Sequence, residues 1–243
     1  NTIKVINYLE TYDLSPRGGG GNTVRNITSC YLAGVCPYEK TNVIPIAQRL
    51  SEYLLSLDYS YTLPRKFKVA LSGCGRDCAG AALNDVGFIA VDGESEPTFK
   101  MLVGGGMGAK SSVGKLLKTN VRAQDISRET EAVMEIFFKY GDRKDRHHNR
   151  LRFLIQQLGS EKFKDIYQSI LDEKIKTAPP LLLTDEKVTD SPGRQISDEK
   201  INHISGEESA DENYRSFLKY NVLPQKSEGL FCVLVRIPQG EIS

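Results

Sequence analysis

The sequence predicts an α+β protein, because a group of β-rich segments is followed by a run of helical patterns instead of alternating with them. Three segments rich in β-branched and apolar residues indicate adjacent strands, at 67–72, 86–91 and 98–103. Three segments with apolar residues at helical spacing follow, at 128–140, 147–158 and 160–173. The predicted strands surround the second of two cysteine pairs.

Two helices are expected before these strands. Residues 2–13 have the pattern of the end of a helix, which Pro16 and the glycines after it would terminate. Residues 43–57 carry apolar side chains at helical spacing, among them Ile46, Leu50 and Leu54.

The segment from about 174 to 212 is different in composition. It is polar and acid-rich, it contains Pro179, Pro180 and Pro192, and it has no sustained periodicity apart from the apolar triple 181–183. We therefore expect a linker that wraps the surface or is partly disordered.

Composition limits the possible partners and location. The chain has 243 residues and 40% hydrophobic content, enough for one large or two small domains with a real core. Its formal net charge of +1 argues against nucleic acid as a principal partner. No apolar run approaches the ~20 residues of a membrane span. Thiols without a signal peptide predict a cytoplasmic protein.

Four of the five cysteines form two tight pairs, Cys30 with Cys36 as C-x5-C and Cys74 with Cys78 as C-x3-C. Four thiolates that converge on one point suit zinc or an iron–sulfur cluster. Neither pair has the C-x2-C spacing of a zinc ribbon. By spacing alone, disulfides and buried, redox-idle thiols remain alternatives. Cys232, alone in the apolar run LFCVLV, is expected to be a core residue.

Five segments occur in this order along the chain: GGGGNTVRNITSC, LPRKFK, SGCGRDCAGAALNDVGFIA, MLVGGGMGAK and YGDRKDRHHNRLRFLIQQLG. Together they resemble the nitrite and sulfite reductases, enzymes that contain sirohaem and a [4Fe-4S] cluster. The resemblance covers roughly residues 14–172, with a weaker match at 214–243, and the combination is far more specific than any one segment. It implies the fold of the family's sirohaem and [4Fe-4S] domain, a mixed sheet with flanking helices, and the start of a ferredoxin-like half-domain.

The resemblance also implies a ligand set. In the family the two cysteine pairs hold a cubane cluster, and the last cysteine bridges to the sirohaem iron. By position, the cluster ligands here are Cys30, Cys36, Cys74 and Cys78, with Cys78 as the bridge. A shared thiolate would couple the cluster to the iron at which substrate binds.

Basic residues are expected to bind anions. By position in the family motifs, Arg25, Lys66 and Lys68 would hold the small anionic substrate and supply protons. Lys66 and Lys68 are two apart in an extended segment, so both should point to the same face of a strand. Outside this set of motifs, a K-x-K pair would more often be a solvated strand face.

Other residues are expected near the cofactor's carboxylates or ring. The basic candidates are Arg17, Arg143, Arg146, Arg150 and Arg152, for which the alternative is an exposed or helix-terminal arginine. Glycines 18–21, and Gly104 and Gly105 with the glycine after them, would let the backbone approach a planar ligand, or would form a linker and a turn.

The resemblance implies a domain order. Residues 1–21 would end a preceding ferredoxin-like unit, 22–173 would form the sirohaem and [4Fe-4S] domain, 174–212 a linker, and 213–243 the start of a second ferredoxin-like half-domain. The chain lacks an initial Met and stops one strand into that unit, so we expect a fragment of a longer polypeptide or one piece of a processed chain.

The expected activity is reduction of sulfite to sulfide or of nitrite to ammonia. Electrons would come from a donor such as ferredoxin or a reductase subunit, and the remaining half of the polypeptide or a partner chain would complete the site. A non-catalytic electron-transfer or structural half that keeps the cluster is the alternative, and a zinc-binding structural protein is a third.

In single-chain enzymes of the family the basic motifs and the cysteines lie in different halves. Lys66 and Lys68 would then serve a symmetry-related cofactor position.

Overall fold

The computed structural model describes residues 1–12, 14–16, 18–108, 110–181 and 211–237. The chain divides into two compact units. The first comprises Asn1–Ala33 and Lys40–Thr184, and the second Gly34–Glu39 and Asp185–Ser243. None of the helices in the described ranges is long and apolar enough to cross a membrane.

A five-stranded mixed sheet forms the centre of the first unit. Its strands, in spatial order, are β1 (Thr28–Ser29), β2 (Val69–Ser72), β3 (Val86–Val91), β4 (Thr98–Val103) and β5 (Lys115–Val121). Strands β1, β2 and β3 are parallel to one another, whereas β4 and β5 continue the sheet in antiparallel pairing. The predicted α+β class and mixed sheet are confirmed.

The strand predictions agree closely with the structure, with one omission. Strands β3 and β4 have the predicted bounds, and β2 begins at Val69 because Phe67 makes only a lone parallel bridge to Val24. Strand β5 was not predicted. It is an edge strand with mostly exposed or half-buried residues, so its sequence KLLKTNV lacks the alternation that would have marked it.

Five helices belong to the first unit: α1 (Thr2–Glu10), α2 (Ile44–Ser56), α3 (Ile126–Tyr140), α4 (Leu151–Leu158) and α5 (Ser160–Thr177). Helix α4 begins four residues later than predicted, since the Asp142 and Asp145 side chains accept hydrogen bonds from the backbone amides of residues 144, 145 and 147. These side-chain turns compete with the helix over 142–149.

The core of the first unit contains interleaved aromatic rings. Phe67 stacks on Phe137 of α3, with ring centroids 6.0 Å apart, and Phe88 meets Phe99 edge-on across β3 and β4. All four rings are fully buried. Helix α3 therefore packs against the residues that immediately precede β2, which is where the predicted anion-binding lysines lie.

Two buried carboxylates on α3 tie it to its neighbours. Glu129 accepts hydrogen bonds from Lys118 of β5, at 2.6 Å, and from Tyr167 of α5. Glu131 accepts from Lys174 of α5, at 2.7 Å, and from Tyr53 of α2. Burial raises the pKa of Glu129, and the bond from Lys118 opposes that shift.

The described part of the second unit is small. It contains α6 (Glu212–Asn221), an antiparallel hairpin of β6 (Val222–Pro224) and β7 (Phe231–Val233), and residues 34–39. The core prediction for Cys232 is wrong, because it is half-buried on β7, a three-residue strand with alternating exposure. Most of the predicted linker, residues 182–210, lies outside the described residues, and the domain boundaries stay predictions.

We expect Gly87→Ala to destabilise the first unit by about 2 kcal/mol or more, the scale of overpacking in a core. A Cβ at Gly87 would lie 2.1 Å from the Ala81 carbonyl oxygen, so the backbone of the turn at Ala81–Leu83 would have to move. Urea denaturation of the full chain measures the change.

The matched control is Gly20→Ala, where a Cβ would meet no atom within 4 Å. It should change stability by less than ~0.5 kcal/mol, as expected of a surface substitution. Equal stability of the two variants would contradict the close approach of the turn to β3.

Candidate metal centre and anion-binding cavity

Parallel pairing of β1 and β2 brings two cysteines to the same edge of the sheet. Ser29, the last residue of β1, is in register with Leu71 of β2. Cys30 comes directly after β1 and Cys74 comes two residues after the end of β2, so both lie at the carboxyl ends of these strands. The Gly73 amide donates a hydrogen bond to the Cys30 sulfur at 3.2 Å. Cys30 is half-buried and Cys74 is 7% exposed. These two sulfurs are thus presented at the carboxyl ends of the strands, shielded from bulk water.

The loop between Cys74 and Cys78 is organised by Asp77. Its backbone adopts φ +51°, a left-handed conformation that asparagine and aspartate tolerate better than most residues. Its carboxylate accepts hydrogen bonds from the Ser72 hydroxyl at 2.6 Å and from the amides of Ala81 and Ala82 at 2.7 and 3.0 Å. Asp77 therefore fixes the position from which the exposed Cys78 projects.

Cys36 belongs to the segment Gly34–Glu39 of the second unit and is half-buried. Its carbonyl oxygen accepts a hydrogen bond from the Glu39 amide at 3.3 Å. This turn holds the backbone on the C-terminal side of the cysteine.

The donor chemistry fits a cluster. All five cysteines are thiols, and thiolates are the usual ligands of iron–sulfur clusters. Among the described residues, no three Cys, His, Asp or Glu side chains meet as a group that could hold a single metal ion. The assignment of Cys30, Cys36, Cys74 and Cys78 as ligands stays a prediction.

A strongly basic cavity of about 340 Å³ lies beside the residues that precede β2. None of the described residues that line it is acidic: they are Arg65, Lys66, Lys110, Arg146, His147, His148, Arg150, Arg152 and Phe153. A second cavity, of about 270 Å³, is lined by Arg25 and Lys68 together with Gly18, Gly19, Asn26, Thr28 and Asn84. The structure thus places all three predicted substrate-binding residues on cavity walls.

Electrostatics indicate that these cations crowd one another. Partial burial lowers the pKa of Lys66, and the positive charges of Arg150, Lys68, Arg65 and Arg25 lower it further. Lys66 is half-buried and Lys68 is exposed, on either side of the buried Phe67, and the two lysines line different cavities. That both point to the same face of the strand stays a prediction. A bound anion would relieve this repulsion.

Asp85, which sequence reasoning missed, anchors the basic cavity. It is fully buried at the start of β3 and accepts hydrogen bonds from the Arg150 guanidinium at 2.8 and 2.9 Å. It also accepts one from the Lys68 amide at 2.9 Å. Burial raises the pKa of Asp85, and its pairing with Arg150 opposes that shift. A single carboxylate thereby fixes both Arg150 and the backbone that carries the lysines.

Arg152 is a cation of this cavity with two buried nitrogen donors that lack a protein acceptor. It is 8% exposed, and its Nε and Nη1 atoms are buried without a hydrogen-bond partner. Its guanidinium lies against Gly106, where a Cβ would come within 2.3 Å of Nη1. Buried unsatisfied donors are costly, so a site for an acceptor is indicated here.

Other predicted residues have different surroundings. Arg146 lines the basic cavity, whereas Arg143 is not among its lining residues. Instead, Arg143 donates to the carbonyl oxygens of Thr62 and Phe138, at 2.7 and 3.0 Å, and its guanidinium lies over the Phe138 ring. Its proposed contact with a cofactor carboxylate has no support in this arrangement. Arg17 lies outside the described residues.

The glycines lie in tight backbone contacts. Arg25 donates to the carbonyl oxygens of Gly19 and Gly21, so it closes the glycine run while lining the second cavity. Gly104 has φ +79°, and a Cβ at Gly105 would lie 2.5 Å from the Ala82 carbonyl oxygen. The chain approaches its own backbone closely at these positions, and their cofactor-binding role stays a prediction.

Asp77→Ala should lower the stability of the full chain by about 3 kcal/mol, because three hydrogen bonds to a carboxylate are lost and alanine is strained at this φ. Asp77→Asn should cost about 1 kcal/mol, since asparagine tolerates the conformation and keeps one acceptor oxygen. Urea denaturation of the cofactor-free protein compares the two. Wild-type stability of Asp77→Ala would show that the carboxylate does not hold this loop.

Comparison with known proteins agrees with these features. Residues 20–175 match the family described as the nitrite and sulphite reductase 4Fe-4S domain. An assimilatory ferredoxin-dependent nitrite reductase of Haloferax mediterranei is 33% identical over 177 residues, which is 70% of this chain and 30% of that protein. A sulfite reductase (ferredoxin) 1 of Mycolicibacterium paratuberculosis is 31% identical over 173 residues, which is 70% of this chain and 31% of that protein.

Solved structures show the same relationship. The NirA protein of Mycobacterium tuberculosis aligns with a TM-score of 0.65 at 28% identity, over 75% of this chain and 32% of that one. Dissimilatory sulfite reductase I aligns with a TM-score of 0.59 at 15% identity, over 83% of this chain and 66% of that one, and this supports the fold alone.

The chain spans about a third of the length of the curated relatives that it matches. The family match supports the predicted [4Fe-4S] cluster, together with sirohaem, as the family's cofactors. This chain therefore belongs to the nitrite and sulfite reductase family, within its 4Fe-4S domain.

Proposed function

We propose that the chain forms the cluster-binding part of an enzyme that reduces nitrite to ammonia or sulfite to sulfide. The observation that carries the proposal is the basic cavity, in which the buried Arg152 has two nitrogens without a hydrogen-bond partner, in a chain that also presents Cys30 and Cys74 at one sheet edge. Both substrates are small anions, and sirohaem is a polycarboxylate, so this cavity suits either ligand.

The proposed roles follow from these positions. Cys30, Cys36, Cys74 and Cys78 would supply the four thiolates of the cluster, and Cys78 would bridge to sirohaem. The cofactors, when bound, supply the multi-electron redox chemistry. Arg25, Lys66 and Lys68 would hold and orient the anion, and a lysine ammonium at the substrate oxygen would donate a proton as water leaves. Arg146, Arg150 and Arg152 would pair with cofactor carboxylates.

The cysteines and the cations lie at opposite ends of the parallel strands. Arg25 precedes β1 and Cys30 follows it, while Lys68 precedes β2 and Cys74 follows it. Cys74 is six positions after Lys68, so the two residues are at most ~20 Å apart at about 3.3 Å per residue. This separation favours a crossed arrangement, in which the cations of this chain serve a cofactor other than the one bound by its own cysteines.

The crossed arrangement needs further protein to complete the active site. The matched relatives are about three times as long as the segment they share with this chain, and one of them is named as ferredoxin-dependent. We propose that the remaining part of the polypeptide or a partner chain supplies the complementary half, with ferredoxin or a reductase subunit as the electron donor. Residues 1–243 alone would then reduce neither anion, while equal specific activity of this chain and a longer protein would contradict the crossed arrangement.

Replacement of any one of Cys30, Cys36, Cys74 or Cys78 by Ser should abolish or strongly reduce cluster content, because each iron requires a thiolate. Iron and acid-labile sulfide per chain are measured after anaerobic reconstitution. Cys232→Ser is the control and should keep the wild-type content. Full cluster content in Cys74→Ser would contradict the assignment of Cys74 as a cluster ligand.

Two neighbouring arginines allow a matched test of the basic cavity. Arg150→Met should destabilise the cofactor-free chain by about 3–5 kcal/mol, because it leaves Asp85 as an uncompensated buried charge. Arg152→Met should cost much less than that, since it removes two buried donors that have no hydrogen-bond partner and gives up only the contact with the Phe153 ring.

Arg152 should matter for retention of the cofactor more than for stability of the cofactor-free chain. Arg152→Met should lower sirohaem retention of the full-length protein, measured by visible absorption per chain, because a carboxylate loses its buried donors. Unchanged retention together with reduced stability would mean that Arg152 has a purely structural role.

A further inference from the structure

The segment that carries Cys36 is closed by the side chain of Glu39. One carboxylate oxygen of Glu39 accepts a hydrogen bond from the Gly34 amide at 2.8 Å, and the other accepts one from the Lys226 ammonium, also at 2.8 Å. The Glu39 side chain is only 7% exposed. One buried carboxylate therefore joins the two ends of the segment Gly34–Glu39, with Cys36 between them.

Lys226 makes a second contact on the other side of Cys36. Its backbone amide donates to the Val35 carbonyl oxygen at 2.9 Å. Lys226 lies in the connection between β6 and β7, where Gln225 donates to Leu230 and Leu230 donates to Ser227, at 3.0 and 3.2 Å. The hairpin turn is thus internally hydrogen-bonded, and it presents both the amide and the ammonium of one residue to the cysteine segment.

The chemistry of these contacts indicates positioning. Glu39 is a nearly buried carboxylate whose two oxygens each accept one of these bonds, and charge-assisted bonds are stronger than neutral ones. A buried carboxylate that loses one donor keeps its desolvation cost, so loss of Lys226 would loosen the segment as a whole. The backbone on either side of Cys36 would then move more freely.

We propose that Glu39 and Lys226 form a clamp that positions Cys36 as a cluster ligand. The inference rests on the proposed function, in which Cys36 supplies one thiolate. Lys226 lies beyond residues 20–175, the part of the chain that matches the 4Fe-4S domain of the family. The C-terminal hairpin is therefore part of the cluster-binding structure in this chain. Glu39 and Lys226 are positioning residues, because they act through the backbone of Cys36.

The test uses the full chain and begins without the cofactor. The rate at which iodoacetamide alkylates Cys36 is measured by mass spectrometry, with Cys30 in the same molecule as the internal reference. Lys226→Met and Glu39→Gln should each raise the Cys36 rate by about tenfold, the factor expected when a hydrogen bond to a charged group is lost, and leave the Cys30 rate unchanged. Lys226→Arg keeps the charge and the donors and should restore the slow rate.

The matched control is Lys40→Met. Lys40 is also paired with a carboxylate, Asp92 at 2.9 Å, but both of these side chains are well exposed. Its replacement should leave the Cys36 rate unchanged. A Cys36 rate that stays at the wild-type value in both Lys226→Met and Glu39→Gln would overturn the clamp. So would an increase at Cys30 as large as that at Cys36, or an equal rise in Lys40→Met.

Reconstitution separates the clamp from the proposed function. In Lys226→Met the electron paramagnetic resonance spectrum of the reduced cluster should change and iron per chain should fall, while Lys226→Arg should behave as wild type. If the wild-type chain takes up no cluster, the proposed function fails, and the alkylation rates still decide whether Glu39 and Lys226 hold Cys36. If the wild type takes up a cluster and Lys226→Met gives the same spectrum and content, the positioning role is excluded.

Discussion

Parallel pairing of β1, β2 and β3 is the constraint on which the arrangement of the first unit depends. Parallel strands put all their carboxyl ends at one edge of the sheet and all their amino ends at the other. Cys30 and Cys74 consequently share the carboxyl edge, while Arg25, Lys68 and Asp85 precede their strands at the amino edge. The strands are short, yet they are long enough to separate thiols from cations, which gives the unit two chemically different edges.

One carboxylate stabilises each edge, the buried Asp85 and the half-buried Asp77. At the amino edge, the desolvated carboxylate of Asp85 accepts hydrogen bonds from Arg150 and from the Lys68 amide. These bonds hold the backbone that carries the lysines in place. At the carboxyl edge, Asp77 bonds to Ser72 and to the turn that leads into β3. Asp85 fixes the backbone that carries the lysines, and Asp77 fixes the loop that carries Cys78. Residues held in this way would give a cofactor site rigid walls.

Much of the fold and the site could be predicted from sequence, and the exceptions have physical reasons. Strands β3 and β4 were identified because buried strands have apolar patterns, whereas the exposed edge strand β5 has none. The roles of the cysteines and lysines follow from the family motifs and stay predictions, while the structure places Cys30 and Cys74 at one sheet edge and the lysines on cavity walls. Asp85 and Asp77 were missed, because an isolated acid in a sequence reads as a surface residue until the structure shows its donors. The contacts of Arg143 with two backbone carbonyl oxygens could not be predicted either, because they depend on how the loop folds back. Its cofactor role and that of Gly105 stay predictions.

The central claim is that the thiols of this chain hold a [4Fe-4S] cluster. Mössbauer spectroscopy of the full chain, purified anaerobically after growth on ⁵⁷Fe, tests it most directly, because the spectrum reports the type of iron site and its amount per chain. The account predicts that nearly all protein-bound iron has the signature of a [4Fe-4S] cluster, at about one cluster per chain. A protein that instead carries zinc in stoichiometric amount, with iron only in trace, would contradict it.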